Sequence, residues 1–192
     1  MESYASFDAL QANETVGTDY RIRLRHGLSG VAVMAIHGGG IEPGTTEIAE
    51  AVAGKEHTFY SFSGLKPSGN AQLHISSRKF DEPLGTDIAG RARVVITVHG
   101  CKDSKEMTYL GGRHQQLKQE IKRALTSAGF PAIDGVRFPG INPKNICNKN
   151  RSGMGVQLEI SIGMRIRFFK DIKRLYRKRI TPCFIAYVHA LR

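Results

Sequence analysis

The chain lacks any stretch near the roughly 18 consecutive apolar residues that a spanning helix needs. Its acidic, polar start, Met1-Glu2-Ser3-Tyr4, also lacks the charged-then-apolar order of a secretory leader, so synthesis and folding in a cytoplasm are expected. Cysteine is sparse. Cys101, Cys147 and Cys183 are an odd set at wide spacings, which excludes a disulfide framework and a four-cysteine zinc module and leaves free thiols. Internal repeats, low-complexity tracts and linker composition are missing too. With 192 residues and 41% hydrophobic content the chain suits one domain spanning 1–192, and nothing in its length demands a second.

Acidic residues are also outnumbered. The formal charge is +11 and the pI near 9.8, so the surface attracts polyanions, whether nucleic acid, an acidic membrane or an acidic polymer. The excess is concentrated between Arg165 and Arg179, where eight basic residues stand against Asp171 alone. A solvated helix face explains such a run as well as a binding surface does.

Two short apolar runs carry most of the fold signal. Gly30–Ile36 ends in His37 and three glycines, and Ala92–Val98 ends in His99-Gly100, the pattern of strands buried on both faces. The spacing predicts a helix over Thr45–Ala53, stopped by Gly54, and an amphipathic helix over Arg113–Ala128, stopped by Gly129, with Lys118, Lys122 and Arg123 on its polar face. His57–Phe62, Ala71–Ser76 and Gly155–Ser161 read as strands, Phe168–Tyr176 and Cys183–Leu191 as helical, and Pro131–Gly155 as a long ordered loop. Strands interleaved with helices imply an α/β sandwich with helices on both sheet faces.

In such sheets ligands bind at the carboxyl ends of the strands, where His37 and His99 are both expected. Glu42 follows His37 by five residues across Gly-Gly-Gly-Ile, whose glycines allow the tight turn that returns the carboxylate toward the imidazole. Two imidazoles and a carboxylate with a fourth position left for water form the ligand set of a catalytic zinc site, able to activate water and polarise an amide carbonyl. His74 is the alternative third ligand, although it is predicted inside a strand. A phosphate-cradling loop is disfavoured, because Gly-Gly-Gly-Ile-Glu lacks the Walker lysine and sets a carboxylate where anions would bind. Glu159, alternating with Val156, Leu158 and Ile160 in an apolar strand, is a candidate general base; a solvent-facing strand glutamate is the bland alternative.

The segment Ile36-His37-Gly38-Gly39-Gly40-Ile41-Glu42-Pro43-Gly44-Thr45 resembles the opening motif of the phage and bacillus poly-γ-glutamate hydrolases. Phe59-Tyr60-Ser61-Phe62, Leu73-His74-Ile75-Ser76, Phe80-Asp81-Glu82-Pro83, Val98-His99-Gly100, Gly111-Gly112-Arg113, Asn145-Ile146-Cys147-Asn148 and Gly155-Val156-Gln157-Leu158-Glu159 resemble that family in order, over nearly the whole chain. The resemblance implies a compact relative of the zinc carboxypeptidases: a three-layer αβα sandwich with a mixed open sheet, holding one zinc ion and cutting γ-linked glutamate internally. It makes His37, Glu42 and His99 the metal ligands and Glu159 the general base. Arg78, Arg113 and Arg151 flank motif segments and are the candidates for binding substrate carboxylates. The expected partner is poly-γ-glutamate, whose free carboxylates suit the basic surface; the protein is expected to be a monomer, without membrane contact. Made in a phage-infected cell, it could be released on lysis to thin a polyglutamate capsule. The competing readings are a different zinc amide hydrolase, such as one acting on cell-wall peptides, and a basic nucleic-acid-binding protein, which the basic run supports but which has no stacking platform there beyond Phe168, Phe169 and Tyr176, aromatics more simply read as core.

Overall fold

The computed structural model describes residues 4–192, and a seven-stranded mixed sheet runs through it. The strands, in chain order, are β1 (Tyr20–Arg25), β2 (Val31–Gly39), β3 (Thr58–Gly64), β4 (Val94–Cys101), β5 (Thr108–Gly112), β6 (Ala132–Asp134) and β7 (Val156–Ser161). Across the sheet they run β1-β3-β2-β4-β7-β5-β6. The four central strands β3, β2, β4 and β7 are mutually parallel, while β1 and β5 lie antiparallel to their inner neighbours. Parallel strands must be covered on both faces, which is why the apolar runs of β2 and β4 are nearly continuous rather than alternating.

Helices α2 (Thr45–Ala53), α4 (Gln115–Ser127) and α6 (Pro182–Leu191) cover one face, where Ile48, Leu125 and Tyr187 pack on Val33, Val98 and Leu158. Helices α1 (Phe7–Gln11) and α3 (Pro83–Arg91) cover the other, with Phe7 and Ile88 against Met34, Ile36 and Phe62. The αβα sandwich with a mixed sheet is therefore as expected. The short helix α5 (Ile162–Arg167) follows β7 directly, capped by Ser161, whose hydroxyl accepts from the Met164 amide.

Several local expectations fail for tertiary reasons. Ala71–Ser76 forms no strand: Asn70–Leu73 is a 3-10 turn, and Leu73 and Ile75 drop into the α3-side core from a loop. Phe168–Tyr176 is not helical, because helix α5 stops at Arg167 and Phe169 instead bridges to Ile180, so that Phe168 and Phe169 are both buried in the core. Lys118 is 7% exposed on a helix face expected to be solvated. Motif residues also do structural work away from the sheet edge. Glu82 caps α3 by accepting from the Leu84 and Gly85 amides and takes a 2.6 Å hydrogen bond from the Tyr60 hydroxyl. Asn148 ties down the long loop before β7, donating to the carbonyls of Gly140 and Asn142 and accepting from the Gly155 amide.

Candidate metal centre

His37 lies near the end of β2, just where the pairing of β2 with β3 shifts register between Ala35 and Gly38. The chain then turns over Gly39 (φ 67°), and Glu42 donates its amide back to the His37 carbonyl at 2.9 Å. Gly38 is required by contact as well. A Cβ there would sit 2.2 Å from Thr46 Oγ1 and 2.5 Å from Ser61 Oγ, inside a buried triad of hydroxyls that Thr46, Ser61 and Ser63 share. Thr46 Oγ1 also accepts from the Gly39 amide at 3.0 Å, locking the turn onto the first turn of α2.

The turn delivers Glu42 to two imidazoles. His37 Nδ1 stands 3.0 Å from Glu42 Oε1 and 3.1 Å from His99 Nδ1, and His99 Nδ1 lies 3.5 Å from Glu42 Oε2. Both rings are almost fully buried. His37 Nε2 approaches the Ile75 carbonyl at 2.7 Å. A carbonyl only accepts, so Nε2 carries a proton, and in the neutral ring Nδ1 is left with a lone pair toward His99 and Glu42. Two imidazole nitrogens and a carboxylate thus converge within 4.8 Å with too few protons to satisfy them, an arrangement that a cation completes. Burial alone would raise the Glu42 carboxyl, but the charges and hydrogen bonds of His37 and His99 outweigh it and hold the group well below the usual carboxylate range. Burial pushes His99 down, and its hydrogen bond to and attraction for Glu42 push it further up. The residues fit a divalent metal with nitrogen and oxygen ligands. His74 lies at the edge of this set, its ring stacked 3.9 Å from that of His37 and its Nε2 3.9 Å from Glu42 Oε1.

Glu159 is on β7, paired with His99 across the sheet. It is 8% exposed, and desolvation pushes its carboxyl up to about 7, the attraction of His99 being too weak to offset burial together with the repulsion of Glu42. Gln157, two residues earlier on the same strand face, donates to Glu159 Oε1 at 3.0 Å and accepts from Asn145 Nδ2 at 2.8 Å. This buried amide chain fixes the carboxylate rotamer. Sequence reasoning missed it, although both residues lie inside motif segments.

Two cavities flank the cluster. One, about 660 Å³, is bounded by Ile41, Glu42, Pro43, His74, Lys102 and Arg165; the other, about 360 Å³, by Ser77, Arg78, Gly140, Asn142, Asn145 and Gln157. Ser77 Oγ lies 3.4 Å from His99 Nε2, so the second cavity reaches the histidine from the opposite side to Glu42. Of the three arginines expected to bind substrate, Arg78 lines this second cavity. Arg113 is exposed and bonds the Gly153 carbonyl, and Arg151 is exposed beside Ala92; neither borders either cavity. Arg165 begins the basic run that the sequence left open between a solvated face and a binding surface, and it is neither. It is 3% exposed and donates to the carbonyls of Ile160, Cys101 and Pro43, bracing the Glu42 turn against β4 and β7.

Fold and site together define an open α/β domain whose parallel strands present, at their carboxyl edge, a buried histidine–carboxylate cluster that could hold a metal ion. A family model described as poly-gamma-glutamate hydrolase matches residues 4–190, and the chain belongs to that family. It is 39% identical over 169 residues to the UPF0714 protein YndL of Bacillus subtilis, an overlap of 86% of this chain and 66% of that protein, so the chain spans just under two thirds of its relative. A bacteriophage poly-gamma-glutamate hydrolase structure superimposes with a TM-score of 0.97 at 36% identity, covering 100% of this chain and 95% of that one. A zinc-free structure of YndL does so with a TM-score of 0.93 at 34% identity, covering 99% and 95%.

Proposed function

We propose that this chain is a zinc-dependent hydrolase that cuts the γ-glutamyl amide bonds of poly-γ-glutamate internally, acting as a monomeric single domain. The observation that carries the reading is the convergence of His37 Nδ1, His99 Nδ1 and Glu42 on one point beside Glu159, in a member of this family. That a relative's structure is distinguished as zinc-free supports zinc as the metal. When bound, the ion would supply a nucleophile at neutral pH and Lewis-acid polarisation of the scissile carbonyl.

The rest falls to side chains. Glu159, poised near neutrality, accepts the proton of the attacking water and returns it to the departing amide nitrogen. Gln157 holds the accepting oxygen in line through its hydrogen bond to Oε1. Arg78, which lines the second cavity, is placed to receive a substrate carboxylate; Arg113 and Arg151 would act only on segments lying outside the cleft. Cavities on both sides of the cluster suit a substrate that continues in both directions, as internal cleavage requires. No helix among the described residues is long and apolar enough to cross a membrane, and release by host lysis to attack a capsule is the biological setting we propose.

The test is the chain length of poly-γ-glutamate, measured by size-exclusion chromatography after incubation with and without a metal chelator. Metal-dependent shortening is expected. An intact polymer in the presence of zinc-loaded protein would end the substrate assignment and turn attention to cell-wall peptides.

A further inference from the structure

The basic run between Arg165 and Arg179 is divided by the fold. Arg165 is turned inward, Arg167 pairs with Glu106, and Arg177, 4% exposed, pairs with Glu47 at 2.8 Å and bonds the Ile172 carbonyl. Arg174 and Lys178 take another course. With Arg21 and Arg23 of β1 they wall a concave site of about 380 Å³ that also touches Thr46 and Ser63. The strand register explains the gathering, because Arg21 stands opposite Ser63 and Arg23 opposite Ser61, on the face that α2 covers.

The site contains two carboxylates, and each is already neutralised, Glu47 by Arg177 and Glu50 by Arg23. Arg21, Arg174 and Lys178 are left without a carboxylate partner among the described residues, Arg174 bonding only the Leu65 carbonyl. Three uncompensated cations in one concavity make a strong local attraction for anions. Its place is also specific. The turn from Gly39 to Thr46 separates this site, which touches Gly39, Thr46 and Glu47, from the cavity beside the metal centre, which touches Ile41, Glu42 and Pro43.

We infer that this basic concavity is an accessory docking site for the carboxylates of a poly-γ-glutamate chain, occupied while another stretch of the same chain lies at the metal centre. The inference rests on the proposed substrate. A polymer with one carboxylate per unit presents the repeated charges that Arg21, Arg174 and Lys178 match, and holding one segment raises the effective concentration of the next at the cleft. Among the described residues no aromatic side chain lines the concavity, so bases have nothing to stack on and a nucleic acid is the poorer fit.

The test compares R21E/K178E with a control double charge reversal on unrelated exposed residues, K55E/R123E, using long polymer and a short γ-glutamyl oligomer. For the first variant KM with long polymer should rise roughly tenfold, with kcat unchanged and the oligomer kinetics unmoved; the control should stay within about twofold. R21Q/K178Q, with unaltered thermal unfolding, guards against misfolding. Equal losses in both double reversals, or equal losses for oligomer and polymer, would overturn the site. Binding of intact polymer to E159Q, with and without R21E/K178E, separates the two readings: wild-type protein that binds polymer through these residues but never cuts it would remove the hydrolase assignment and keep the site. Equally tight, equally charge-dependent binding of duplex DNA would remove the site.

Discussion

Replacing Glu159 with glutamine in the metal-free protein should change how stability depends on pH. The carboxyl of Glu159 is pushed up to about 7 from an ordinary 4.5 by burial. Between those values the folded chain keeps a proton that the unfolded chain has released, so stability falls as pH rises through the window and levels off above it. At about 1.4 kcal/mol per pH unit, ionising Glu159 in the fold costs on the order of 3 kcal/mol. For a domain of this size that is a loss of roughly 6–12 °C in Tm between pH 4.5 and pH 8. The glutamine of the variant has nothing to titrate, and its amide can still meet Gln157. Other groups that shift, Glu42 held down and His99 held up, are common to both proteins and couple to Glu159, so the difference reads the Glu159 charge together with its effect on them. Urea or thermal unfolding of chelator-treated wild type and E159Q at pH 5 and pH 8 measures it. The variant should equal or exceed wild type, with the advantage growing with pH. Parallel pH profiles would refute the claim that an ionised Glu159 is a costly buried charge, and with it the idea that the group is tuned for proton transfer.

Other outcomes follow from particular contacts. Gln157→Leu should lower kcat roughly tenfold with bound metal little changed, since it removes the orienting hydrogen bond on Glu159, and should also lower the urea midpoint because it strips the buried Asn145 amide of its acceptor; steady-state kinetics with metal analysis and unfolding would detect both. Gly38→Ala forces a methyl into the Thr46, Ser61 and Ser63 hydroxyls and should destabilise by about 1–3 kcal/mol in chemical denaturation, while displacing the turn that carries Glu42 and weakening metal retention. Arg165→Met strands the carbonyls of Ile160, Cys101 and Pro43 and should cost roughly 3 kcal/mol, read by the urea midpoint. Chelating a metal present at about 1,000 times its Kd should remove close to 4 kcal/mol of stability from wild type, and far less from His99→Ala.

The residues of the centre were legible because the same few types had to serve two purposes. Strands buried on both faces need unbroken apolar runs, so a histidine or glutamate inside such a run stands out, and the glycines after His37 announced a turn that no side chain could follow. Lys118 and Arg165 were misread because a charge counted along the chain says nothing about the neighbours that bury it. The chain between Leu65 and Asp81 was misread as partly strand because Leu73 and Ile75 alternate toward a core they enter from a loop.

By itself, then, the sequence determined the parallel core strands, the principal helices and the three groups that converge as candidate metal ligands, since burial on both strand faces and tight turns leave local patterns. Only the tertiary structure decided which cations face which cavity, how Asn145 and Gln157 reach Glu159, and how Arg21 comes to stand beside Lys178. Arg21 and Lys178 come from opposite ends of the chain, and even for near neighbours such as Gln157 and Glu159 hydrogen bonds and charge compensation depend on distances that spacing along a sequence does not encode.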